Sequence, residues 1–185
     1  MCFKLFGVKI TINFGFVLVV CLISIFSPGQ EIAYCFLFII AHEIGHGIAC
    51  KVIGAGIENI KFSPFGISIN IQNEYKLQAC KRVAIYLAGP VVNFVLAFLL
   101  KGKIRYFNFL IGGFNLLPVS ALDGGRIVEV LTGTGYLGYK IKRCIYIGIS
   151  ALVAIMGIYL FIVSGYNFSL IITSLYLIVE IIKKK

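Results

Sequence analysis

Apolar residues run almost without a break through six stretches of this chain, at 10–26, 32–53, 83–100, 106–131, 141–163 and 168–182. Nothing else in the sequence restricts the fold as strongly. A helix of about 20 mostly apolar residues crosses the ~30 Å hydrocarbon layer of a bilayer. Within that layer only helices and closed barrels satisfy their own backbone polar groups. Charged residues make up 13% of the chain, about half the ~25% usual in a soluble domain. Together with 60% hydrophobic residues, this excludes disorder, a disulfide-stapled secreted module and a soluble nucleic-acid binder. The expected fold class is an all-α polytopic membrane protein with about six transmembrane helices. It is expected to form a single domain over residues 1–185.

Punctuation sets the limits of these runs. Ser27-Pro28-Gly29 stops the first and Gly54-Ala55-Gly56 the second, while Pro118 and Gly124-Gly125 break the fourth. The first run follows Lys4 and Lys9, so a cleaved signal peptide is an alternative; its length and Pro28 favour a retained anchor. With the amino terminus in the cytoplasm, fourteen of the 17 Lys and Arg fall on the cytoplasmic side. Lys101, Lys103 and Arg105 fall outside. This bias predicts a multi-pass membrane protein with both termini cytoplasmic. The net charge of +10 then reads as topology and contact with the lipid bilayer, with no nucleic-acid partner.

Residues 56–75 have a different texture. Ile57, Phe65, Ile67, Ile69 and Ile71 are spaced largely at two, among Glu58, Lys61, Ser68, Asn70 and Gln72, with a Ser63-Pro64-Phe65-Gly66 turn. That pattern predicts a small membrane-associated β-hairpin between the second and third spans. It is either a structured loop packed under the helices or an edge strand to which an extended substrate adds by backbone pairing.

The second apolar run carries His42-Glu43-Ile44-Gly45-His46, which holds both histidines of the chain. An ionisable side chain within a membrane span marks function by default, because its burial in lipid costs several kcal/mol. Four residues apart on a helix, both imidazoles lie on one face, about 6 Å apart in rise, and can reach one metal ion. Glu43 beside them is placed to take a proton from water, as in H-E-x-x-H zinc hydrolases. A catalytic zinc takes three protein ligands and keeps one position open. Cys50 shares the face but lies about 12 Å from His42 along the axis, too far to join. Asp123, the single aspartate, is the favoured third ligand, with Glu129 in reserve. A helix N-cap or a salt bridge to Arg126 are its structural alternatives. With both runs entering from outside, His42 and His46 lie about 15 and 21 Å deep and Asp123 about 20–25 Å, so the depths agree.

Three segments now stand in order: His42-Glu43-x-x-His46, then Ala88-Gly89-Pro90-Val91-Val92-Asn93, then Asn115-x-x-Pro118-x-x-x-Leu122-Asp123-Gly124. Together they resemble the site-2 protease family of intramembrane zinc metalloproteases, and within it most resemble the stage IV sporulation protein FB branch. The resemblance implies one zinc ion on His42, His46 and Asp123, with Glu43 as general base and then acid. It implies that Asn115 steadies the substrate backbone or oxyanion, against the alternative of a helix–helix hydrogen bond. Gly89-Pro90 is expected to make room in the third span, and Asn93 to be structural. The implied partners are a membrane-associated protein substrate, such as a pro-sigma or anti-sigma factor in sporulation, and membrane regulatory or inhibitory proteins. The alternative is a non-proteolytic metal-binding membrane protein, a transporter or an inactive homologue. No disulfide is assigned to the six cysteines, which lack C-x-x-C spacing.

Overall fold

The computed structural model describes residues 2–5, 8–26, 29–63, 66–119, 122–133 and 135–164. These form strands β1 (Cys2–Leu5) and β2 (Val8–Ile12) and helices α1 (Phe14–Phe26) and α2 (Gln30–Ile53). Strands β3 (Ile57–Ser63) and β4 (Gly66–Ile71) follow. Helices α3 (Ala79–Leu99), α4 (Lys103–Asn115), α5 (Asp123–Thr132) and α6 (Tyr136–Ser164) complete the described chain. Two compact units divide it, Met1–Gly113 and Phe114–Lys185.

Among the described residues, three helices are long and apolar enough to cross a membrane: Ala33–Ile53, Ala79–Leu99 and Tyr136–Val163. Their surfaces show what surrounds them. On α2, Leu37, Ile40, Ile44, Ile48 and Val52 are exposed, whereas His42 and His46 are 3% and 6% exposed. On α3, Val91, Val95, Phe98 and Leu99 face outward while Asn93 is fully buried. Apolar outside and polar inside is the reverse of a soluble helix. The protein is an integral membrane protein with a mostly helical body and a small sheet.

In the first unit, α2 packs most extensively on α3. A Cβ on Gly45 would lie 2.9 Å from the Ala88 carbonyl oxygen and 2.8 Å from Val92 Cγ2. The glycine is what allows the two backbones to approach this closely, as small residues do between membrane helices. Gly54 ends α2 in the left-handed conformation, φ +75°, with its N–H and that of Ala55 returning to Cys50 O and neighbouring carbonyls, the usual glycine stop. The chain then enters the sheet. Its order is β1-β2-β3-β4, with β2 parallel to β3 and both outer pairs antiparallel. Beneath it Cys50, Ile71 and Ile85 form an apolar cluster with Ala49, Ile53, Ala55, Ile57 and Leu77. After β4, Glu74 accepts hydrogen bonds from Arg82 (2.8 and 3.0 Å) and from the Tyr86 hydroxyl, which fastens the turn to α3.

Several expectations change. The 57–71 hairpin forms, but as half of a four-stranded mixed sheet, so the all-helical description with an isolated hairpin is corrected. The run at 10–26 is not one helix. Val8-Lys9-Ile10-Thr11-Ile12 alternates β-branched residues, and β3 offers it a partner with Lys9 opposite Asn59 and Ile12 opposite Phe62; residues 8–12 therefore become strand. The 13 residues of α1 rise only about 20 Å. The run at 106–131 splits into α4 and the ten-residue α5, and the run at 168–182 lies outside the described residues. Arg105, awkward on charge grounds, donates from Nε to Ala97 O and Leu100 O. It caps the carbonyl end of α3, where the helix dipole favours a cation.

In the second unit, the segment between α4 and α5 is stitched by its own backbone. Leu117 N–H donates to Phe114 O (3.1 Å), Val119 N–H to Leu117 O (2.8 Å) and Leu122 N–H to Val119 O (2.9 Å). Val119 is fully buried. Helix α5 packs against α6, and the Tyr146 hydroxyl donates to Gly125 O at 2.8 Å.

Candidate metal centre

Helix α2 continues unbroken through His42-Glu43-Ile44-Gly45-His46, so the spacing of four does place both rings on one face. The ring centroids are 4.8 Å apart at 80°. The two Nε2 atoms are 3.1 Å apart. His46 Nδ1 lies 2.7 Å from the Ile85 carbonyl oxygen, a pure acceptor, so Nδ1 carries that ring's proton. His42 Nδ1 lies 2.6 Å from Asn93 Oδ1. The Asn93 amide is oriented by its own donation to Phe38 O at 3.3 Å, so His42 also donates through Nδ1. In the neutral tautomers so defined, both Nε2 atoms turn lone pairs toward the same point.

Two facing lone pairs repel. A direct bond between them would need a cationic imidazolium inside an apolar helix pair, whereas a metal ion satisfies both at once. The separation fits. Tetrahedral zinc with Zn–N bonds of about 2.05 Å brings two nitrogens to about 3.3 Å of each other. Room is left by Gly89: a Cβ there would lie 2.6 Å from His42 Nε2 and closer still to His46 Nε2. The absent side chain is thus the cradle for whatever the histidines hold. Metal-bound histidines characteristically donate their second nitrogen to a carbonyl or carboxylate, and both rings do so here.

Glu43 is half-buried, one residue from His42 on α2. Cys50 is sealed in the apolar cluster, in keeping with its exclusion as a ligand. Asp123 is the first residue of α5, and the N-cap is Leu122, with no side-chain cap hydrogen bond. The N-cap role for Asp123 is therefore corrected. Gly124 next to it is buried, and a Cβ there would fall on the Leu116 carbonyl, so the Leu-Asp-Gly stretch needs its glycine for close backbone approach. Glu129 lies against the Tyr146 hydroxyl. Asn115 ends α4, half-buried.

Sequence reasoning missed the residues that orient the imidazoles. Asn93 touches His42 directly, and Asn108 of α4 accepts from Asn93 Nδ2 at 3.2 Å. Both are fully buried. The signal was available, since an asparagine within an apolar run must find a partner. The Ile85 carbonyl left no such trace.

The fold and this site define a class, that of integral membrane proteins with a histidine pair buried between two helices and arranged for a metal. A family model described as Peptidase family M50 matches residues 30–107. The chain resembles Zinc metalloprotease MJ0392 of Methanocaldococcus jannaschii, 29% identical over 197 residues that cover 94% of this chain and 57% of that protein. Stage IV sporulation protein FB of Bacillus subtilis is 23% identical over 130 residues, 63% of this chain and 45% of that protein. The chain therefore spans about half the length of these curated relatives. Among solved structures, the Site-2 Protease from Methanocaldococcus jannaschii superposes with a TM-score of 0.67 at 26% identity, covering 96% of this chain and 91% of that one. Residues 30–107 are thus similar to Peptidase family M50, and the chain as a whole is similar in fold and sequence to a site-2 protease.

Proposed function

We propose that this chain is an intramembrane zinc metalloprotease that hydrolyses a peptide bond in a membrane-associated or transmembrane substrate, near the substrate's cytoplasmic end. The observation that carries the reading is the pair of Nε2 atoms 3.1 Å apart, each on a ring whose Nδ1 is committed to an acceptor. Asp123 is proposed as the third ligand. The set of His42, His46 and Asp123 supports this reading by its chemistry, since two imidazoles and a carboxylate suit zinc with one position left open. Bound there, zinc would lower the pKa of water toward 7 and polarise the scissile carbonyl. Glu43 accepts the proton of the attacking water and delivers it to the leaving amine. Asn115 steadies the substrate backbone or oxyanion.

A helical peptide bond hides its carbonyl, so the substrate must be extended at the cut. Among the described residues, strand β3 is paired on both sides and β4 is an edge of the sheet. An extended segment adding to β4 gains backbone hydrogen bonds in place of those lost on unwinding. The proposed topology is multi-pass with both termini cytoplasmic. Release of a pro-sigma factor in sporulation is the finer proposal, supported by the likeness to stage IV sporulation protein FB.

Glu43→Gln tests the reading. Cleavage of a membrane-tethered reporter substrate should fall by at least about 10²-fold, the scale of general acid–base catalysis, while bound zinc is unchanged. Undiminished cleavage by that variant would refute the role of Glu43. Zinc bound without cleavage by the wild type, across a panel of membrane peptides, would favour a non-proteolytic metal-binding protein.

A further inference from the structure

We propose that Asn93, oriented in turn by Asn108 of α4, is a positioning residue that selects the nitrogen His42 presents to the metal. The proposal rests on His42 and His46 being zinc ligands. The chain of hydrogen bonds has one direction because backbone carbonyls, which only accept, anchor it. Asn108 Nδ2 donates to Ile104 O at 3.1 Å, which turns its Oδ1 toward Asn93 Nδ2 at 3.2 Å. Asn93 Nδ2 also donates to Phe38 O at 3.3 Å. Its Oδ1 is thereby left facing His42 Nδ1 at 2.6 Å, where only an N–H fits. Rotating the Asn93 amide by 180° would set its oxygen against Phe38 O and Asn108 Oδ1 and its amine against the imidazole N–H.

Asn93 and Asn108 are both fully buried, so bulk water does not compete for these bonds. The contrast with His46 is informative. His46 is held by a main-chain carbonyl that side-chain substitution leaves in place, whereas His42 depends on a side chain from α3 steadied by one from α4. Without that acceptor the His42 ring is free to carry its proton on Nε2, and that tautomer cannot ligate through Nε2. A carboxylate in place of the Asn93 amide would still accept from Nδ1–H, as in carboxylate–histidine–zinc arrangements; its second oxygen gives up the donation that Nδ2 makes to Phe38 O, which lowers stability but leaves the acceptor for Nδ1–H in place.

The test uses the full chain in detergent, with zinc affinity read by chelator competition and histidine tautomers by 15N NMR of the zinc-free protein. With only two histidines in the chain, the spectrum is simple to assign. Asn93→Leu should weaken zinc about 10–100-fold, the usual scale for such outer-shell partners, and yield mixed His42 tautomers. Asn93→Asp should restore affinity to within about threefold of wild type, with the Nδ1–H tautomer retained. A purely structural asparagine predicts the opposite order, because a buried carboxylate is harder to accommodate than a leucine. Wild-type affinity in Asn93→Leu, or equal loss in Asn93→Asp and Asn93→Leu, overturns the proposal. If Asn93→Leu does not fold, Asn108→Leu carries the test: mixed tautomers with a smaller loss of zinc support it, and an unchanged spectrum overturns it. His42→Ala binding zinc like wild type would instead show that the zinc site itself is misread.

Discussion

The two functional segments of the molecule are held by different means. In Met1–Gly113, the imidazoles sit in a network of buried side-chain hydrogen bonds between helices drawn together by Gly45 and Gly89. In Phe114–Lys185, Asp123 opens a helix whose approach is shaped by backbone turns, a glycine against a carbonyl and one tyrosine hydroxyl. The first arrangement specifies the orientation of individual ring nitrogens. The second specifies where a short helix begins. Substitutions in the first segment should therefore act on metal binding well beyond their effect on stability, and those in the second mainly on stability.

Gly89→Ala is the most damaging change this contrast predicts. Its methyl would occupy the point where the two Nε2 atoms converge, so zinc binding should fall by more than the ~10–100-fold of an outer-shell change. The methyl also crowds two buried rings pinned by hydrogen bonds, and such overpacking costs about 1–3 kcal/mol against a helix-propensity gain of about 1 kcal/mol, so the zinc-free protein should melt somewhat lower while the loss of zinc binding dominates. Chelator competition together with thermal melts would separate the two effects, and normal zinc binding would break the comparison. Gly124→Ala should behave in the reverse manner. The new methyl meets the Leu116 backbone, which cannot rotate away, and overpacking of this kind costs about 1–3 kcal/mol. That exceeds the propensity gain, so a lowered melting temperature is expected with a smaller effect on zinc. Tyr146→Phe removes the bond to Gly125 O and should cost about 0.5–1.5 kcal/mol, again with zinc nearly unchanged. A zinc defect as large as that of Asn93→Leu would merge the two segments into one kind of site. Smallest should be Glu74→Gln. It leaves an acceptor for Arg82 and Tyr86, and partly exposed ion pairs contribute about 0–1 kcal/mol, so its melt should shift least.

Much of this was legible one residue type at a time. The apolar run and its turn residues located α2, with observed bounds Gln30–Ile53 against the expected 32–53, and alternation located the strands at 57–71. Both signals are local, since a helical face and a β alternation repeat within a few residues. The break at Pro118 was legible for the same reason. The sheet's other half was not. Joining β2 to β3 in parallel requires a crossover through α1 and α2, and parallel pairing leaves no mark at the turn because there is no turn. Apolar character at 10–12 suited a span and a strand equally, and only the partner decided. Asn93 was visible as a polar residue in an apolar run, yet its use depended on His42, 51 positions earlier along the chain.

What the amino-acid order determined by itself is the chemistry at hand: a bilayer-length helix with two imidazoles on one face and a carboxylate between them, and a later aspartate beside a pair of glycines. Spacing on a helix is set by 3.6 residues per turn and needs no neighbour. What the tertiary structure decided is the state of those groups. A histidine has two nitrogens of nearly equal basicity, and which one carries the proton is settled by the acceptor packed against it. Here those acceptors are the Ile85 carbonyl and the Asn93 side chain, supplied by a second helix that a glycine lets in.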